Sequence, residues 1–185
     1  ESNDIEDIEI VNEEATTNFK ILEDKIDVMK RAKFNPDSYS TIATEIDASC
    51  QQGLITVTAK SNLFNKLTTD YSDLVYKQTE SFLRWDIGNS KDIVSWLNQL
   101  QNVTYNNTKI VHYKNQLKWY FYYEKSLPSK VDAFISKGID YYDHDLYEKL
   151  KNEVQNMPNF ETNYKNSTKF IRIKNKCLSK LENFN

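Results

Sequence analysis

NEEATTNFKILEDKIDVMKRAKFNP, residues 12–36, decides the fold of this chain. Ala15, Phe19, Leu22, Ile26 and Met29 recur at alternating spacings of four and three, which gathers them on one face of a helix. Asn12 suits the position before the first turn, and Glu13 and Glu14 suit the positive end of the helix dipole. Lys30, Arg31 and Lys33 collect at the opposite end, where Asn35-Pro36 stops the helix. A single apolar stripe has to be buried against something, so this stretch demands further helices.

Working outward, residues 1–12 alternate acids with Ile5, Ile8, Ile10 and Val11. A lone strand there would have no partner, so they read as an acidic flexible arm ahead of one helical domain over 13–185. Downstream of Pro36, Tyr39, Ile42, Ile46, Cys50 and Val57 keep the helical spacing. After Ser61-Asn62 it resumes with Leu63, Leu67, Tyr71, Leu74, Phe82 and Trp85. Two helices are expected, about 37–60 and 62–86, with one bent helix as the alternative. Gly88 and Ser90 mark a stop and a start. A long helix then carries Ile93, Leu97, Leu100, Val103, Ile110, Leu117 and Phe121, unless the Asn-rich run 102–107 splits it. Leu127-Pro128 ends that helix. Val131, Phe134 and Ile135 form a short one that stops at Gly138. Leu146, Leu150, Val154 and Met157 form another, and a last helix covers about 161–183. The expectation is an all-α fold, a bundle or bundle-like array of five to seven helices.

Composition agrees. Only 3 Gly and 3 Pro leave too few turn residues for a sheet-rich fold, while 12 Tyr, 9 Phe and 3 Trp supply a core. A formal net charge of −3 argues against a nucleic-acid surface. No apolar run is long enough to span a membrane.

Cys50 and Cys177 are the only cysteines, and three Asn-x-Ser/Thr acceptors begin at Asn102, Asn106 and Asn166. Together they suggest an oxidising compartment, with one disulfide joining the second and last helices. Chance produces acceptors easily in a chain with 20 Asn. Asn102 and Asn106, one turn apart, would share an exposed face. Glu1-Ser2-Asn3-Asp4 would suit a mature N-terminus.

Two clusters invite a binding role. Trp119, Tyr120, Phe121, Tyr122 and Tyr123 run consecutively, so they point to all sides of a helix. Some must reach the core; Trp119, Tyr120, Tyr122 and Tyr123 are the candidates for a partner or ligand surface. Asp140, Asp143 and Asp145 crowd around His144, Tyr141 and Tyr142. That spacing fits no known metal loop and suits the start of a helix, or an acidic patch for a basic partner. No nucleophile elbow, zinc-protease motif or phosphate loop is present, and no cofactor or metal is called for. The expected function is that of a secreted, glycosylated, non-enzymatic helical protein that binds a protein partner, of the kind that modulates host factors. The alternative is a carrier of a small hydrophobic or amine ligand in a cavity within the bundle.

Overall fold

In the computed structural model residues 12–31 of the deciding stretch lie inside one long helix, α1 (Ser2–Arg31), and every further regular element among the described residues is helical. The structure describes residues 2–104, 107–157 and 165–184, the side chains of 2–12 and 165 apart. The elements are α2 (Ser38–Gln51), α3 (Val57–Trp85), α4 (Ser90–Val103), α5 (Thr108–Phe121), a π turn (Tyr122–Ser126), α6 (Leu127–Ser136), a 3-10 turn (Ile139–Tyr141), α7 (His144–Gln155) and α8 (Lys165–Asn183). Backbone runs unbroken from α5 through the π turn into α6. Counted as one run, this leaves seven helices among the described residues, and no strand occurs there.

The chain divides into two compact units. The first comprises residues 1–77 and 96–106, the second residues 78–95 and 107–185, and α3 and α4 each contribute to both. In the first unit, Leu22, Ile26 and Met29 of α1 are buried, with Ile42 and Ile46 of α2 and Leu63 and Leu67 of α3. The expected seam is therefore the real one. Phe34 lies 4.7 Å from Trp96 and 6.0 Å from Tyr71, whose hydroxyl donates to the Pro36 carbonyl at 3.0 Å. In the second unit Ile110, Leu117, Tyr120, Leu127, Val131, Val154, Phe170 and Leu181 are almost wholly buried.

Four boundaries differ from the sequence reading, each for a local reason. The backbone of residues 2–12 is helical and continuous with α1, so it forms no separate arm. Acids are favoured in the first turns, and here they extend the helix. The break between α2 and α3 falls at Gly53, ahead of Ser61. Gly53 sits at φ 72°, Leu54 N–H bonds the Ser49 carbonyl, and Gly53 N–H bonds the Cys50 carbonyl. This pair of bonds closes a helix around a left-handed residue. Thr56 then opens α3, its hydroxyl accepting from Ala59 N–H at 3.1 Å. Thr56 is thus a helix cap, and Val57 beside it is 77% exposed.

The long helix proposed from Ile93 to Phe121 is split, and Asn107 starts α5 by accepting from Lys109 N–H at 3.0 Å. Pro128, by contrast, does not end its helix. It lacks the N–H that would bond four residues back, and its ring crowds the carbonyl there. The backbone answers by widening: Leu127 N–H reaches back five residues to Tyr122, which makes the π turn.

The expected disulfide is not formed; Cys50 and Cys177 are both free thiols. They belong to different compact units. Cys177 is buried on α8, and that burial pushes its thiol up, away from the reactive thiolate. No helix among the described residues is long and apolar enough to cross a membrane.

Candidate functional site

The run Tyr113, Leu117, Tyr120, Glu124, Leu127, Val131 and Phe134 keeps strict helical spacing across α5, the π turn and α6. All but Glu124 are buried. Glu124 is the one charge on this seam, and Lys169 of α8 neutralises it at 2.9 Å. The same ammonium donates to the Tyr120 hydroxyl at 3.0 Å and stands 5.2 Å from the centre of that ring. Burial pushes the Tyr120 hydroxyl above its ordinary range, with Lys169 partly opposing. Burial pulls Lys169 down, but its hydrogen bonds to Tyr120 and Glu124 carry it above its usual value. Tyr120 is thus a core residue, 1% exposed, and it leaves the set of surface candidates.

Trp119, Tyr122, Tyr123 and Ser126 lie one, then two turns apart on another face, and they line a groove of about 730 Å³. Lys118 and Phe121 complete this wall; Asn152, Glu153 and Asn156 of α7 form the other. The three rings brace one another. Trp119 stacks on Tyr123 at 5.7 Å and 21°, and it meets Tyr122 edge-on at 5.8 Å and 89°. Tyr122 is pinned from two further directions. Its hydroxyl donates to Glu153 at 2.9 Å, and Lys130 of α6 stands 5.0 Å from the ring centre. Its pKa is pushed up to about 12 by burial and then by the Glu153 carboxylate it bonds. Within this rigid setting Trp119 remains 54% exposed.

Three of the four aromatic candidates therefore come together, and the fourth packs in the core against Phe82 and Phe170. The α7 wall was not legible from sequence, because Asn152, Glu153 and Asn156 meet the rings only through tertiary packing. Lys130 and Lys169 carried no signal either, since surface lysines are common. Pro128 was the available clue to the π turn, had its missing N–H been read as a distortion in place of a stop.

The acidic candidates do not join this groove. Asp143 caps α7, its carboxylate accepting from Leu146 N–H at 3.1 Å. Asp145 lies in the first turn of α7 and Asp140 in the 3-10 turn. All three are exposed. No group of three or more His, Cys, Asp or Glu among the described residues is placed to hold a metal ion.

The acceptor asparagines separate sharply. Asn102 is exposed in the last turn of α4, and Asn106 lies outside the described residues. Asn166 is 0% exposed. Its amide nitrogen, the atom a sugar would occupy, donates to the carbonyls of Phe82 and Leu83 at 2.8 and 2.7 Å. It thereby serves two carbonyls at the C-terminal end of α3, one of which, Phe82, also accepts from Asp86 N–H at 2.9 Å. Glycosylation at Asn166 is incompatible with this folded form.

The chain matches no family model, and no curated protein or solved structure matches it.

Proposed function

We propose that this chain is a secreted, glycosylated, non-catalytic binding protein that docks a protein partner in the groove walled by Trp119, Tyr122 and Tyr123. The observation that carries the reading is the braced but exposed indole of Trp119. A large amphipathic ring already fixed in its bound orientation loses little entropy on association, which is why such rings dominate interface energetics. Tyr122, tied to Glu153 and Lys130, holds the platform rigid. The exposed Asn102 supplies an accessible glycan acceptor.

The runner-up, a carrier of a small hydrophobic or amine ligand, has the groove volume in its favour, since about 730 Å³ is in the range of small-molecule sites. The two readings separate by Trp119→Ala. Affinity for the partner isolated from the fluid the organism contacts should drop roughly thirtyfold, about 2 kcal/mol. A panel of small amines and apolar ligands should leave the melting temperature of the wild-type chain unchanged. A ligand-dependent rise, abolished by the same substitution, would favour the carrier. Secretion through eukaryotic cells should give a glycan at Asn102 and none at Asn166, read by mass after enzymatic sugar release.

A further inference from the structure

At the far end of α7 from the groove, the α6–α7 connection presents apolar side chains to solvent for no reason the fold supplies. Gly138, at φ 78°, ends α6, and its N–H bonds the Ile135 carbonyl. The 3-10 turn follows, with Tyr141 and Tyr142 N–H groups bonded to the Gly138 and Ile139 carbonyls, and Asp143 caps α7. From beneath, Phe134, Tyr142, Tyr147 and Phe184 lock the segment in a cluster with ring centres 5.2–6.2 Å apart. The turn is closed by backbone bonds and the underside is packed, so neither requires the upper side to be apolar. Yet Ile139 is 62% exposed, Tyr141 76% and Leu146 37%. Exposed apolar side chains that adjoin one another mark a binding surface more often than those scattered singly.

A shallow recess of about 420 Å³ opens here, lined by Phe134, Lys137, Tyr141, Asp143 and Leu146. Its surroundings are negative. From residue 137 to 148 the chain carries Asp140, Asp143, Asp145 and Glu148 against Lys137 alone, with His144 bonded to the Tyr142 hydroxyl. Tyr141 is also the odd member of its trio. The hydroxyl of Tyr142 meets His144 Nδ1 at 2.9 Å, and that of Tyr147 donates to the Leu181 carbonyl.

We propose that the Ile139–Leu146 corner is a second docking surface, independent of the Trp119 groove, and that its occupant is a basic protein segment carrying an apolar side chain. The apolar residue enters the recess over Tyr141 and Leu146, while flanking Lys or Arg side chains face Asp140, Asp145 and Glu148. Charge of this kind speeds encounter and rejects acidic partners, while the apolar contact sets residence.

The test uses the full chain and a labelled twelve-residue peptide that alternates Lys or Arg with Leu and Phe. A peptide with Glu at every basic position is the control. Fluorescence anisotropy should show binding of the basic peptide alone, weakened about tenfold between 0.05 and 0.5 M salt as the charges are screened. Ile139→Ser and the pair Asp140→Asn with Asp145→Asn should each weaken it at least about fivefold. None of these residues is buried, so folding is preserved, and circular dichroism checks it. Trp119→Ala should leave this affinity unchanged, so loss of the groove reading does not touch this one. Equal binding of both peptides, indifference to Ile139→Ser, absence of basic-peptide binding, or preference for phosphatidylserine vesicles over the peptide would each overturn the proposal.

Discussion

The two compact units are held by different chemistry. In the first, aliphatic residues at helical spacing meet inside, and charges pair on the outside: Lys25 with Glu45, Lys60 with Asp47 at 2.9 Å, Lys66 with Asp27 at 2.8 Å. The first unit also buries Asp70, paired with Lys66 at 3.5 Å, and Ser72, but in the second unit polar groups enter the interior more fully. Asn166 serves the end of α3, and Lys169 reaches in to Tyr120 and Glu124. The second unit also holds the aromatic and acidic candidates for binding, while the first has a groove between α1 and α2 lined by residues such as Ile21, Lys25 and Val28. The contrast teaches that apolar spacing alone can specify a helix pair. Interior polar partners are needed to hold the irregular backbone on which an exposed platform stands.

The largest expected effects ignore the contrast. Ile46→Ala in the first unit and Leu127→Ala in the second each empty a fully buried site and should cost about 3 kcal/mol in chemical denaturation. A clear difference between them would mean that the units pack to different tightness.

The next effect should expose the contrast. Asn166→Ala takes a donor from the Phe82 and Leu83 carbonyls, of which Phe82 keeps Asp86 N–H at 2.9 Å, and should cost about 2 kcal/mol, less than emptying the core. Asn18→Ala removes a bond of the same kind in the first unit, to the Leu54 carbonyl at 3.3 Å. That amide is exposed to water, and its loss should stay under about 0.5 kcal/mol. Equal costs would erase the distinction between interior and surface polarity.

Alkali should weaken both units, by less. Burial raises the Tyr71 hydroxyl to about 12, and Asp37 adds to it; Tyr122 is likewise raised to about 12. In the unfolded chain both ionise near 10. Below pH 10 either state keeps its protons and the stabilisation is complete. From 10 to 12 only the unfolded chain loses them, so stability falls, and the loss is complete above about 12. Melts at pH 9, 10 and 11 should fall in step, and Tyr71→Phe and Tyr122→Phe should each flatten part of the slope.

The smallest effects restore the contrast in charge. Lys60→Ala should leave stability nearly unchanged, because its pair with Asp47 is exposed to solvent. Glu124→Gln should cost about 1 kcal/mol, since it leaves the half-buried Lys169 ammonium with only the more distant Asp86 carboxylate, at 3.8 Å, to balance it. High salt should shrink the first effect more than the second.

Legibility followed the same division. Leu22, Ile26, Ile46, Leu63, Leu67 and Leu150 could all be placed inside from spacing alone, because burial of a stripe is what that spacing encodes. Trp119, Tyr122 and Tyr123 could be named as a cluster from composition. Their partition from Tyr120 could not, since consecutive rings look alike until the seam through Glu124 is seen. Gly53, Pro128 and Asn107 misled or were underused, because a glycine, a proline and an asparagine each have several local solutions. The cysteine pairing failed for a plainer reason: an even count says nothing about proximity.

If the chain is exported as proposed, the amide of Asn166 turns its assembly into a race. The last helix leaves the ribosome after everything it must meet. If an oligosaccharide reaches residue 166 before α8 seats, the carbonyls of Phe82 and Leu83 lose their only donor from that helix, and the bulky adduct keeps it out. If the helix seats first, the acceptor vanishes from view. The occupancy of that single asparagine in secreted material would therefore act as a clock, recording whether closure of the C-terminal unit outruns sugar transfer.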